Sequence, residues 1–103
     1  MSIDMVQVAE KEIMRKEIMT LCSAASVNGC SMQVLAAALK KSGYNADQTA
    51  VERECAYLAD KGLIRTQTVG NMRLGVQRTI AFITAAGTDY LDGSTDPVTG
   101  IAD

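Results

Sequence analysis

Asp47 to Ile64 reads DQTAVERECAYLADKGLI. Val51, Cys55, Leu58 and Ala59 fall at i, i+4, i+7 and i+8, which puts them on one face of a helix. Asp47 suits the N-cap, where its carboxylate can accept from the unpaired N–H groups of the first turn. Lys61-Gly62 suits the other end: a cation favours the negative pole of the helix dipole, and glycine readily turns left-handed after it. Leu63-Ile64 then opens a β-like run with no linker. A helix that stops at KGLI and passes directly into a strand is the feature against which the rest of the chain is tested.

Upstream, residues 4–25 are expected to form a first helix, with Met14, Ile18, Leu21, Cys22 and Ala25 as its apolar stripe. KEIM occurs at 11–14 and again at 16–19, but a five-residue offset turns a helix by about 500°, so the copies face different ways and do not indicate a repeat. Ile3, Val6, Ile13 and Met19 form a second apolar edge, and we expect it to be a homodimer contact; the alternative is contact within their own domain. Ser26-Val27-Asn28-Gly29 reads as a turn. Ser31 is a suitable N-cap for a second helix to Lys41, buried through Met32, Leu35, Ala36 and Leu39. Two helices joined by a few residues containing Gly make a helix-turn-helix pattern.

Downstream, 63–69 alternates Ile64, Thr66 and Thr68 against Arg65, Gln67 and Val69, and 76–83 places Val76, Arg78, Ile80 and Phe82 on one face. A hairpin with its loop near Gly70 to Gly75 follows. Thr84 can cap a last short helix over 85–91. Residues 93–103 hold Ser, Thr, Asp, Gly and the only proline, and are expected to be an exposed flexible tail. The expected organisation is one domain over 1–92 followed by that tail.

Composition narrows the functional classes. The 103 residues permit one modest core, with 48% apolar residues but only 4% aromatic. No apolar run nears the ~18 residues of a membrane span, and the N-terminus carries acids where a signal peptide needs bases. We therefore expect a cytoplasmic protein with no membrane partner. There is no histidine, which removes the commonest general base and every Ser-His or Cys-His nucleophile pair. Three irregularly spaced cysteines without histidine or CxxC read as buried thiols, not a zinc site. No enzyme, metal, cofactor or small-molecule ligand is expected.

Three helices, then a hairpin with glycine near its tip, resemble the winged helix-turn-helix superfamily over about residues 10–91. LAAALKKSGY, VERECAYLADKGLI and ITAAGTDYLDG are the anchoring stretches. The run Ile83-Thr84-Ala85-Ala86-Gly87-Thr88-Asp89, with Gly93, Pro97 and Gly100-Ile101 after it, is more narrowly similar to small winged-helix proteins of Mu-like phages and prophages. Here Val98-Thr99 separate Pro97 from Gly100, where that family has adjacent Pro-Gly. The resemblance implies a mainly α fold: a three-helix core, a small β-hairpin wing and a short C-terminal helix. It also implies double-stranded DNA as partner, with the third helix in the major groove. On that reading Gln48, Thr49 and Arg53 meet bases, while Lys40, Lys41, Arg65 and Arg73 meet phosphates.

Charge opposes the easy form of that reading. The net charge is −2, whereas DNA binders usually carry a basic footprint. The third helix sets Asp47, Glu52, Glu54 and Asp60 against Arg53 and Lys61; the hairpin has Arg65, Arg73 and Arg78 and no acid. Arg78 can alternatively pair with an acid of its own domain. Two readings stay open: a small phage-type transcriptional regulator that binds DNA, or a dimeric interaction module, such as an assembly or packaging accessory factor, with little or no DNA binding.

Overall fold

The computed structural model describes residues 3–71, 73–93 and 100–102; the side chains of Ile3, Asp4 and Asn71 lie outside that description. Helix α1 (Ile3–Ala25) leads through a 3-10 turn (Ser26–Asn28) to a two-residue strand, β1 (Cys30–Ser31). Helices α2 (Met32–Lys41) and α3 (Gln48–Asp60) follow, then strands β2 (Ile64–Asn71) and β3 (Val76–Ile83), and helix α4 (Ala85–Leu91).

The local signals act where chemistry expects. Ser31 Oγ accepts from Val34 N at 3.2 Å and Asp47 Oδ1 from Ala50 N at 2.8 Å, each cap being worth about 1 kcal/mol. Helix α3 ends in a left-handed turn: Gly62 has φ of 76°, and Leu63 N returns to Leu58 O at 3.1 Å. That bond closes the helix and aims the chain into β2.

The sheet order is β1-β3-β2, antiparallel throughout, with Ile64 opposite Ile83 at the base of the hairpin and Asn71 opposite Val76 near its tip. Strand β1, pairing Cys30 with Ala81, has too few residues to show any periodicity and was not expected from the sequence.

The core gathers Met14, Ile18, Met19 and Cys22 of α1, Met32, Leu35 and Leu39 of α2, and Val51, Cys55 and Leu58 of α3, closed by Leu63, Ile64, Ala81 and Tyr90. Each large aliphatic side chain fully buried there contributes roughly 1.5–3 kcal/mol. Three expectations are corrected. Met19 is fully buried in this core, so it presents nothing to a second chain. Its position relative to the other three explains why: it sits three residues before Cys22, on the core face. Secondly, Ile101 is buried, Ala102 N donates to Glu12 O at 3.2 Å, and Tyr90 Oη donates to Ala102 O at 2.7 Å. Residues 100–102 of the expected free tail are therefore docked; residues 94–99 and 103 lie outside the described residues. Finally, Arg78 is exposed, and the only ion pair among the described residues is Arg15–Glu54.

The stretch ITAAG closes the fold on KGLI. Thr84 Oγ1 accepts from Gly87 N at 3.1 Å, capping α4, and donates to Gly62 O at 2.7 Å. Thr84 N also donates to Leu63 O at 3.2 Å. A Cβ on Gly87 would overlap the Leu63 carbonyl oxygen and lie 2.7 Å from Ile83 Cδ1. Only glycine lets α4 sit this close to the helix-to-strand join.

Candidate nucleic-acid interface

Burial of Val51, Glu54, Cys55 and Leu58 turns Gln48, Thr49, Glu52, Arg53, Ala56 and Asp60 to solvent. This open face of α3 carries two carboxylates and one guanidinium. Gln48 Nε2 donates to Glu52 Oε1 at 3.2 Å, so the amide that would read a base is held by an acid one turn on. Arg53 leans toward α1, lining a cleft of about 180 Å³ with Gln7, Glu10 and Lys11.

Lys40 and Lys41 are exposed in the last turn of α2. Only residues 42–47 separate them from α3, so they stand at the same end of the fold as Gln48 and Thr49. Arg73 lies between the strands, at the hairpin tip. Arg65 does not join it: six strand residues from Arg65 to Asn71 span about 20 Å. Its guanidinium instead lies 4.1 Å over the ring of Phe82, its cross-strand partner. The seven predicted residues thus fall into four places: the α2–α3 end, the cleft between α1 and the middle of α3 (Arg53), the hairpin tip, and the hairpin base.

On the expected dimer edge, Val6 and Ile13 are half exposed, as are Met5 and Val8. Met5, Val6 and Ile13 share an arc of about 100° opposite the core stripe; the Ile3 side chain is outside the described residues.

A buried pair escaped the sequence reading. Arg15 Nη2 meets Glu54 Oε1 at 3.3 Å, Nη1 donates to Gly100 O at 2.8 Å, and the guanidinium lies 3.7 Å over Tyr57. One side chain therefore ties α1 to α3 and to the C-terminal segment. The signal was present as spacing: Arg15 precedes Ile18 by three and Cys22 by seven, and Glu54 follows Val51 by three and precedes Leu58 by four. Both charges occupy core-facing positions.

Cys22, Cys30 and Cys55 are buried free thiols. Desolvation foremost, then neighbouring thiols, pushes Cys22 and Cys55 up to about 12; burial also raises Cys30. Among the described residues no cluster of acids and thiols is arranged to hold a metal ion, and no helix is long and apolar enough to cross a membrane.

No protein-family model and no curated protein matches the chain. Solved structures do. A PadR-like transcription factor from Bacteroides fragilis superposes with a TM-score of 0.64 at 16% identity, covering 78% of this chain and 74% of that one. Bacillus subtilis PadR in complex with operator DNA superposes with a TM-score of 0.63 at 16% identity over 86% of this chain, which spans only 53% of the PadR chain. At such identity the likeness establishes the fold: mainly helical with a three-stranded antiparallel sheet, as in PadR-like winged-helix proteins. It does not support the narrower likeness to proteins of Mu-like phages.

Proposed function

We propose that this winged helix is a DNA-binding transcriptional regulator, working in the cytoplasm. The observation that supports the reading best is the match, over most of the chain, to a PadR structure that holds operator DNA. In this reading a duplex lies along α3, flanked by the exposed cations of the α2–α3 end and the hairpin tip. In this reading Lys40, Lys41 and Arg73 meet phosphates, while Thr49 and Arg53, with Gln48 once released from Glu52, meet bases. Arg65, at the hairpin base, is left out of the set.

Affinity is modest and salt-sensitive on this account. A monomer neutralises about three or four phosphates, and each lowers the log-log salt slope by about 0.9; Glu52 and Asp60 repel others. Fluorescence anisotropy with mixed-sequence duplex across a salt series measures this. Lys40→Ala/Lys41→Ala/Arg73→Ala should lose low-salt binding, and Glu52→Gln should strengthen it several-fold. No binding at low salt, or binding untouched by the triple substitution, overturns the proposal.

The half-exposed apolar strip of Met5, Val6 and Ile13 favours a second reading, an interaction module that docks through α1. The two roles are compatible: a second copy packed on this strip would give a two-fold dimer, with half-sites about one DNA turn apart.

A further inference from the structure

Residues 100–102 belong to no helix or strand, yet they touch three helices. Gly100 O accepts from Arg15 Nη1 of α1 at 2.8 Å, Ala102 N donates to Glu12 O of α1 at 3.2 Å, and Ala102 O accepts from Tyr90 Oη of α4 at 2.7 Å. Between these bonds Ile101 is 4% exposed. Gly100, at φ of 92°, lies so close to α3 that a Cβ on it would overlap Tyr57 Oη. We propose that these three residues form a detachable strap across α1, α3 and α4. Its docking fixes how α3 is held, and through α3 it sets the affinity for duplex. That last step rests on the DNA-binding reading above; the strap itself does not.

The coupling runs through Arg15. Its contacts other than Gly100 lie on α3: Nη2 meets Glu54 Oε1 at 3.3 Å, and the guanidinium lies 3.7 Å over the Tyr57 ring. Arg15 Nε and Glu54 Oε2 already have no hydrogen-bond partner, so this pair is held by few bonds. A buried donor stripped of its acceptor is costly. When Gly100 leaves, Nη1 must therefore find water or another acceptor, and the guanidinium that steadies Glu54 and Tyr57 moves with it. Glu54 follows Arg53 directly and Tyr57 stands one turn beyond it, so the disturbance reaches the open face of α3.

The strap can leave without dismantling the core. It supplies one side chain, Ile101, to a buried cluster whose other members lie within residues 14–90. Its bonds are single contacts, not a ladder, and segments so held open at less free energy than global unfolding. With the strap released, only a fraction of molecules keep α3 in its binding arrangement. The apparent affinity then falls by that fraction, while the contacts made once bound stay the same.

The test uses the full chain at a temperature where circular dichroism shows it folded. In the wild type the Ala102 amide should exchange at least tenfold faster than that of Leu39 in the core; exchange in step with global unfolding would show that nothing detaches, and overturn the proposal. Two variants then release the strap. Ile101→Asn removes its buried side chain without adding charge, and Tyr90→Phe, which keeps the ring, removes only the hydroxyl bonded to Ala102. Both should shift the amide 1H–15N resonances of Glu54 and Tyr57 and speed exchange along α3, with the hairpin tip unmoved. Fluorescence anisotropy should give duplex binding at least about fivefold weaker for Ile101→Asn and weaker by a smaller factor for Tyr90→Phe. The log-log salt slope should not change, because the phosphates contacted are the same. Changes confined to residues 90 and 100–102 would overturn the strap's hold on α3, as would an altered salt slope its indirect action. A loosened α3 with unchanged duplex affinity would overturn the regulatory step. A wild type that binds no duplex defeats the DNA-binding reading instead, and exchange along α3 still decides the strap.

Discussion

At the scale of single residues, the least replaceable side chains are polar ones in the core. Glu54 is 5% exposed and its Oε2 has no hydrogen-bond partner, nor has Arg15 Nε. Such a pair adds little net stability over an apolar pair, yet removing one member leaves the other charge stranded. Glu54→Ala should therefore cost about 3–5 kcal/mol in urea unfolding, whereas Arg15→Met/Glu54→Leu should recover most of the loss. The thiols provide a pH test. In the native state Cys22 and Cys55 keep their protons to about pH 12, but an unfolded thiol, at its ordinary value of 9.0, ionises earlier. The unfolded state then binds fewer protons, so stability is untouched below pH 9 and falls between pH 9 and 12. Replacing both cysteines by alanine should flatten that decline in alkaline melts.

At the scale of elements, the decisive joint is the one between α3, β2 and α4. Gly62 turns the chain, Thr84 binds it, and Gly87 lets α4 rest on the Leu63 carbonyl. Gly87→Ala drives a methyl group into backbone, which cannot rotate away as a side chain can. We expect a loss of about 2–3 kcal/mol, read as a lower denaturation midpoint with unchanged slope. A loss under 0.5 kcal/mol would mean that α4 is free to lift off the join.

At the scale of the whole molecule, the radius of gyration is 13.9 Å and the extents are 50 × 31 × 23 Å, against about 13 Å for a compact chain of this length. The core accounts for the C-terminal half of α1, while Met5, Val6 and Ile13 in its N-terminal half remain open. If this strip is a self-contact, sedimentation should show a dimer at high protein concentration, and Ile13→Asp should return an 11 kDa species with the monomer's stability intact. A wild type that is monomeric at high concentration ends the dimer proposal. A dimer unmoved by Ile13→Asp places the contact elsewhere.

Most of the element map was legible in the sequence because it depends on neighbours a few residues apart. The caps at Ser31, Asp47 and Thr84, the stripes of α2 and α3, the left-handed stop at Gly62 and the β3 bounds are all short-range chemistry. Tertiary structure alone decided which charges meet. Arg15 and Glu54 lie 39 residues apart and Arg15 and Gly100 lie 85 apart, and no periodicity links them. The winged-helix resemblance and the acid-free hairpin imply a phosphate contact at Arg65; the register that sets it over Phe82 exists only once β3 is paired. The C-terminal Ile101 followed the same rule: its local pattern allowed exposure, and its burial came from surfaces supplied by distant parts of the chain, where the apolar area removed from water outweighs the entropy of ordering a terminus.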